Sequence, residues 1–236
     1  MAVDFDPASS EYINVKAGGI VVTSGDFSIA LWVFADTTGE SDWYAEGNTG
    51  NNNAMLRLVT YNPGTMTLLF NARNTDGSGE IALTATAVPT GEWVHLAVTR
   101  TGTTFALYIN GAKTSPGATT MPNAITRNTT DLGVWRRLAP VGYVDGKLED
   151  VRVFNRLLSD EEVAILAAGY RGPMGSEAGW WSMMDAQVVQ HWDGDSLATT
   201  DVIPDMSGNG NDGTPQNTPT ARASEAPRFG AMLGWG

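Results

Sequence analysis

Acidic side chains could support glycoside hydrolysis if two of them faced one sugar, about 5–5.5 Å apart for retention or about 6.5–9.5 Å apart for inversion. The nearest grouping on a predicted strand is Asp145, Glu149 and Asp150. Glu149 and Asp150 are adjacent, so their side chains point to opposite faces of a strand. The sequence therefore does not predict a hydrolase, and a glycoside hydrolase or lyase is only a third alternative.

Two histidines, His95 and His191, are the remaining candidates for acid–base catalysis. His95 lies between Val94 and Leu96 in a predicted strand, and alternation places its side chain on the face opposite theirs. A structural role is therefore favoured for His95. The sequence has no G-x-S-x-G motif and no cysteine, which excludes disulfides, thiolate metal sites and cysteine catalysis. We expect a protein that is not an enzyme.

Aromatic side chains in loops could form a platform for a sugar or anchor a protein interface. The residues predicted to make such contacts, which share a loop-like sequence context, are Trp43, Tyr44, Trp135 and Tyr143. The sequence does not separate the two roles, and both stay open.

Short runs of alternating apolar and polar residues, bounded by Gly, Pro, Asn and Asp, predict β-strands. Two clear examples are 27–34 and 93–100, and Asn110-Gly111 marks a turn. The runs recur about every ten residues, which is typical of a β-sandwich. One helix is predicted near 159–168, because Ser159 is a good N-cap and acidic residues fill the first turn.

Net charge limits the partners of this chain. The charge of −12 and the isoelectric point of about 4.4 disfavour binding to nucleic acid. The first residues lack the basic and apolar regions of a signal peptide. No apolar run approaches the roughly 18–20 residues of a membrane helix. We expect no nucleic-acid partner and no membrane insertion.

Five motifs follow one another over residues 3–167. They are V-D-F-D at 3–6 with E-Y-I at 11–13, G-D-F-S-I-A-L-W-V at 25–33, G-E-W-V-H-L-A-V-T at 91–99, L-Y-I-N-G at 107–111, and G-K-L-E-D-V-R-V-F-N-R at 146–156. Together they resemble the laminin-G-like family of concanavalin A-like jelly rolls. The resemblance implies an all-β jelly-roll β-sandwich of two antiparallel sheets over residues 1–171, with one short helix near 159–168.

The composition changes after Gly172, where Gly, Asn and Asp become frequent, as in D-M-S-G-N-G-N-D-G-T at 205–214. This run resembles a segment that accompanies such domains in proteins encoded by tailed phages. We interpret residues 172–236 as an irregular C-terminal extension that packs on the sandwich or on a neighbouring subunit, because it is too polar to build its own core.

The family resemblance also implies a structural Ca²⁺ between the first and last strands, where Asp6 and Asp150 occupy the matching positions. Backbone carbonyls could complete the six to eight oxygen ligands that Ca²⁺ prefers. The alternative is that Asp6 is a solubilising charge at a strand edge, while Asp150 pairs with Arg152 or Arg156.

The leading functional hypothesis is a non-catalytic virion component of a tailed phage, located on the virion surface as a head decoration or tail-associated protein. Its partners would be a major capsid or tail protein, further copies of itself in a homo-oligomer such as a trimer, and weakly bound glycans. The alternative is an extracellular carbohydrate-binding module or lectin-like adhesin.

Overall fold

The computed structural model describes residues 2–16, 18–21, 23–50, 55–62, 64–74, 76, 78–122, 125–133, 142–172, 174–175, 177–181, 196–222 and 226–227 of the 236-residue chain. These residues form fifteen strands, one α-helix and one turn of 3-10 helix. No helix among them combines the length and the apolar character needed to cross a membrane. The predicted all-β class is confirmed.

The strands have the following bounds: β1 (Ala2–Phe5), β2 (Tyr12–Lys16), β3 (Phe27–Ala35), β4 (Ser41–Gly47), β5 (Met55–Tyr61), β6 (Thr67–Arg73), β7 (Ile81–Thr86), β8 (Trp93–Thr101), β9 (Thr104–Ile109), β10 (Ala112–Ala118), β11 (Thr129–Leu132), β12 (Gly146–Phe154), β13 (Glu177–Trp181), β14 (Thr214–Gln216) and β15 (Thr220–Arg222). The 3-10 turn is Pro7–Ser9, and α1 is Asp160–Ala167.

Two antiparallel sheets make up the sandwich. The eight-stranded sheet has the order β10-β9-β8-β3-β12-β1-β15, with β13 also paired to β12. The seven-stranded sheet has the order β14-β2-β11-β4-β5-β6-β7. Strands that neighbour each other in a sheet are often far apart in sequence, which is typical of a jelly roll and not of a simple meander.

The main core lies between the two sheets and follows from strand alternation. In β3 the side chains of Phe27, Ile29, Leu31 and Val33 are all buried in it. The rings of Phe27, Phe70 and Phe105 meet with centroids 5.7–6.3 Å apart, so that aromatic residues from both sheets join the layers.

Helix α1 covers part of the other face of the eight-stranded sheet. Its capping box is complete: Ser159 Oγ accepts from the Glu162 N–H at 3.2 Å, and the Glu162 carboxylate accepts from the Ser159 N–H at 2.8 Å. Val163 and Leu166 are buried in a second, smaller core against Ala97 and other residues of the sheet. The helix predicted near 159–168 is confirmed.

The C-terminal extension adds strands to both sheets of the same chain. Strand β13 pairs with β12, β14 with β2, and β15 with β1. The described parts of residues 172–236 therefore pack on the sandwich itself.

Glu46 is a buried carboxylate that ties a loop to the seven-stranded sheet. Its Oε1 accepts from the Ile20 and Val21 N–H groups, each at 2.8 Å, and from the Tyr44 hydroxyl at 2.6 Å. Its Oε2 pairs with Arg127. Burial, followed by the Glu46 charge, raises the pKa of Tyr44 well above its ordinary value, so the phenol stays a donor.

We expect the substitution Glu46→Gln to lower the free energy of unfolding by about 3–5 kcal/mol, because it leaves the Arg127 charge without its buried partner. Urea denaturation monitored by tryptophan fluorescence measures the loss. Glu40→Gln is the control. Glu40 pairs with Arg57 at 2.5 Å but is 48% exposed, so its loss is expected to stay below about 1 kcal/mol. Equal losses in the two variants would contradict a structural role for Glu46.

Candidate functional site

The outer face of the seven-stranded sheet carries polar side chains in direct register. Thr214 lies opposite Asn14, and Asn14 lies opposite Asp131. The register continues through Ala45 to Arg57, and from Arg57 to Asn71. The polar row, as we call it, consists of Thr214, Asn14, Asp131, Arg57 and Asn71. These side chains face away from the core because their strand neighbours, among them Ile13, Leu132, Leu58 and Phe70, are buried inside it.

Asp131 is held in place by two side chains at the centre of the polar row. Asn14 Nδ2 donates to Asp131 Oδ1 at 2.7 Å and to Thr129 Oγ1 at 3.1 Å. The Thr129 hydroxyl in turn donates to Asp131 Oδ2 at 2.7 Å. Asp131 is fully buried, and these bonds fix the plane of its carboxylate.

Arg57 and Asn71 continue the row on the next two strands. The Arg57 side chain is 13% exposed, and its NH1 group donates to Asp42 at 3.2 Å. Asn71 Nδ2 donates to Glu80 Oε1 and to the Ile81 carbonyl, each at 2.8 Å. Asn71 Oδ1 is buried and accepts no hydrogen bond from the described residues, so the row contains an unpaired acceptor.

Tyr12 and Tyr143 form an aromatic pair beside the polar row. Tyr12 is two residues from Asn14 in β2 and therefore lies on the same face. The ring centroids of Tyr12 and Tyr143 are 6.5 Å apart with an interplanar angle of 46°, and both residues are half-buried. Of the four predicted contact residues, Tyr143 is the one that the structure places next to the polar row. Trp135 and also His191 lie outside the described residues.

The predicted loop placement of Trp43 and Tyr44 is wrong. Both lie in β4, near the middle of the seven-stranded sheet, and both are fully buried. A register shift between Asp42 and Tyr44 marks a bulge at Trp43, so two successive aromatic side chains join the same core. Trp43 Nε1 donates to Thr60 Oγ1 at 2.8 Å. Neither residue is positioned to contact a ligand.

Asp6 and Asp150 do not fit a shared calcium ion. Phe5 pairs with Gly146, which places Asp6 beside residue 145. Asp150 lies five residues further along β12, about 16 Å away at about 3.3 Å per residue. Ligands of one Ca²⁺ each lie only about 2.3–2.6 Å from the ion. The described residues contain no group of three or more His, Asp or Glu side chains placed to hold a metal ion. A structural calcium ion in this protein stays a prediction from the family resemblance.

Asp150 instead belongs to a buried group of charged side chains. Arg152 NH2 lies 3.1 Å from Asp150 Oδ1, and Arg152 NH1 lies 3.6 Å from Glu177 Oε1. Arg171 lies 3.6 Å from Asp150 and 3.7 Å from Glu149. The pairing of Asp150 with Arg152 is the alternative that the sequence had left open. These five residues are the buried charge cluster.

His95 lies beside the buried charge cluster. It is 1% exposed, and its ring centroid is 5.4 Å from that of Trp32. Burial, with smaller effects from the Arg171 and Arg152 charges, lowers the pKa of His95 from 6.5 to about 3. The imidazole is therefore neutral at physiological pH and is not placed to exchange protons with a substrate.

Two described carboxyl groups, Glu11 and Asp36, have raised pKa values and do not belong to the polar row, although Glu11 directly precedes Tyr12. Burial is the main cause of the raised pKa of Glu11, with Asp6 and Asp4 as like-charged neighbours. Burial also raises the pKa of Asp36, which lies beside Lys147. Both groups are therefore near β1 and β12 of the eight-stranded sheet. What the polar row and the tyrosine pair offer together is hydrogen bonding to hydroxyl groups beside an aromatic surface.

The chain was compared with protein families, curated proteins and solved structures. The family model described as the concanavalin A-like lectin/glucanases superfamily matches residues 7–164. No curated protein matches the chain.

Three solved structures are similar in fold. A candidate carbohydrate-binding protein from Bacteroides ovatus has 17% identity and a TM-score of 0.65, covering 97% of this chain and 61% of that chain. The CBM40 domain of the Ruminococcus gnavus IT-sialidase, bound to α2,3-sialyllactose, has 18% identity and a TM-score of 0.54, covering 66% and 97%. The heptameric SAP-like pentraxin of Limulus polyphemus has 14% identity and a TM-score of 0.52, covering 70% and 81%.

We expect acid to destabilise the protein partly through His95. The unfolded chain binds a proton at His95 below pH 6.5, whereas the folded protein does so only near pH 3, so stability falls as the pH drops through this interval. At pH 4.5 the effect reaches at most about 3 kcal/mol, at 1.36 kcal/mol per pKa unit. Urea denaturation of wild type and of His95→Phe between pH 7 and 4.5 measures how the free energy of unfolding of each protein changes with pH. The variant should lose less stability than wild type over this range, and parallel losses would contradict the assignment.

Proposed function

Since the chain belongs to the concanavalin A-like lectin/glucanases superfamily, we propose that it is a non-catalytic carbohydrate-binding module whose glycan lies along the polar row. The observation that carries this proposal is the set of partly exposed polar side chains in the row, Thr214, Asn14 and Arg57, on the same sheet as Tyr12 and beside the tyrosine pair. Sugars present hydroxyl groups and apolar ring faces, and this surface complements both.

Rigidity supports a binding role for the polar row. The buried Asp131 carboxylate fixes the partly exposed Asn14 amide before any ligand arrives, and Asp42 fixes Arg57. Groups that are already oriented lose little conformational entropy on binding, so more of the interaction energy appears as affinity.

The charge of the surface indicates the class of glycan. Asp131 belongs to the row, Asp42 and Glu40 pair with Arg57, and Glu80 accepts from Asn71. Among the described residues of this face, these four acidic groups outnumber the two arginines, Arg57 and Arg73, in a chain whose net charge is −12. Anionic sugars are repelled by such a surface, so we propose a neutral glycan.

A binding role without catalysis is supported by the position of the titrating groups. A glycosidase needs a carboxyl group of raised pKa facing the scissile bond. Both described carboxyl groups with raised pKa values bind groups outside the polar row: Glu11 directly precedes Tyr12, but its carboxylate accepts from the Asp6 N–H at 2.7 Å, and Asp36 lies beside Lys147. Similar folds in a candidate carbohydrate-binding protein and in a sialidase CBM40 domain point in the same direction.

The virion hypothesis, with a capsid or tail protein and further copies of the chain as partners, stays a prediction from the sequence. The virion surface and the extracellular space likewise both stay predicted locations. Sedimentation of native material together with phage particles tests the virion hypothesis, and a glycan-binding module could serve in either place.

We expect the purified protein to bind neutral glycans on an array, and Tyr12→Ala and Tyr143→Ala each to weaken binding at least about tenfold, or 1.4 kcal/mol. Isothermal titration calorimetry with the best array glycan gives the affinities. Trp93→Ala is the matched control, because Trp93 is also a half-buried aromatic residue but lies on the other sheet, packed on Phe34.

Trp93→Ala should bind as wild type does. Absence of any array signal, or full binding by both tyrosine variants, would overturn the proposed function. Thermal melts of each variant separate lost binding from lost folding.

A further inference from the structure

A cavity of about 370 Å³ lies on the eight-stranded sheet, on the side opposite the polar row. Strands β8, β9 and β10 and the residues that begin α1 surround it. Small-molecule pockets in proteins begin at about 300 Å³, so the cavity could hold one sugar ring or the end of a longer glycan.

The lining of the cavity combines apolar and hydroxyl groups. Ala106, Leu157 and Leu158 supply an apolar wall, while Thr104 and Ser159 bring hydroxyl groups. This division matches a ligand that has an apolar face and a polar rim.

Lys113 and Asp160 are the charged groups of the cavity. Lys113 is the cross-strand neighbour of Tyr108, and Asp160 is the first residue of α1. Lys113 Nζ donates to the Asp160 oxygens at 2.9 and 3.1 Å, and the Tyr108 hydroxyl donates to Asp160 Oδ1 at 2.7 Å. The strand pairing and the start of the helix thus bring a donor and an acceptor side by side.

Both charged groups stay accessible in this arrangement. The side chains of Lys113 and Asp160 are 46% and 56% exposed. An ammonium group has three donors and a carboxylate has about four acceptor positions, so each keeps hydrogen-bonding capacity after pairing with the other.

We propose that this cavity is a second glycan-binding site, specific for a neutral saccharide whose adjacent hydroxyls bridge Lys113 and Asp160. Hydroxyls on neighbouring ring carbons are separated by about the length of a hydrogen bond. One hydroxyl can therefore accept from Lys113 while the next donates to Asp160. An anionic sugar meets the Asp160 carboxylate and a chain of net charge −12, which disfavours it.

The second site is independent of the polar row because it lies on the other sheet. If both sites bind sugar, one domain can bridge two glycan chains, and attachment to a glycan-coated surface becomes much tighter than either site alone provides.

Amide chemical shifts of ¹⁵N-labelled full-length protein test the proposal, with galactose, mannose and N-acetylglucosamine as probes up to roughly 50 mM, which covers millimolar affinities. We expect shifts at Thr104, Ser159 and their neighbours, with saturation. Lys113→Met and Asp160→Asn should each weaken this binding at least about fivefold. Glu161→Gln, an exposed change at the next helix residue, should leave it unaltered.

Three results would overturn the second site: no shift at these amides with any probe, equal binding in both cavity variants, or tighter binding of N-acetylneuraminic acid than of neutral sugars. Amide spectra of the variants without sugar establish that each is folded. Shifts near Asn14 and Tyr143 report separately on the polar row, so either site can fail without the other.

Discussion

Arg152 is a buried cation that anchors the first part of the C-terminal extension to β12. It is fully buried, donates to the Gly172 carbonyl at 2.7 Å, and lies between Asp150 and Glu177. A buried guanidinium is tolerated only when its charge and its donors are satisfied, and here the chain beyond α1 supplies part of that satisfaction. The outer face of the eight-stranded sheet is consequently covered at its centre, and β13 continues the sheet beside β12.

That coverage decides which surfaces are open to a ligand. Helix α1 and the buried charge cluster occupy the middle of the eight-stranded sheet, and the cavity near Lys113 lies at one margin of this covered region. The seven-stranded sheet bears polar side chains on its outer face instead, held in fixed orientations by one another. The two proposed sites are thus separated by the full thickness of the sandwich and differ in shape, one a row across strands and the other a cavity.

Sequence alternation predicted strands with a long apolar inner face, such as β3 and β8, because their period is unbroken. It missed β4, where the bulge at Trp43 breaks the period, and also β10, β11 and the three strands β13, β14 and β15 of the C-terminal extension. Tyr143, chosen for its loop context, lies next to Tyr12, and its contact with a ligand stays a prediction. The polar row could not be found, since neighbours such as Asn14 and Asp131 meet only through strand register. The register of β1 against β12 is also what keeps Asp6 and Asp150 too far apart to share a calcium ion.

The pairings of β1 with β15 and of β2 with β14 form late in folding. Partners such as Ala2 and Arg222 are joined across almost the whole chain, so the loop that must close is long and its closure is slow. During synthesis, β1 and β2 each have one edge without a hydrogen-bonded partner strand until residues 214–222 leave the ribosome. Unpaired strand edges invite association with other chains, so this interval is when the nascent protein is most prone to aggregate.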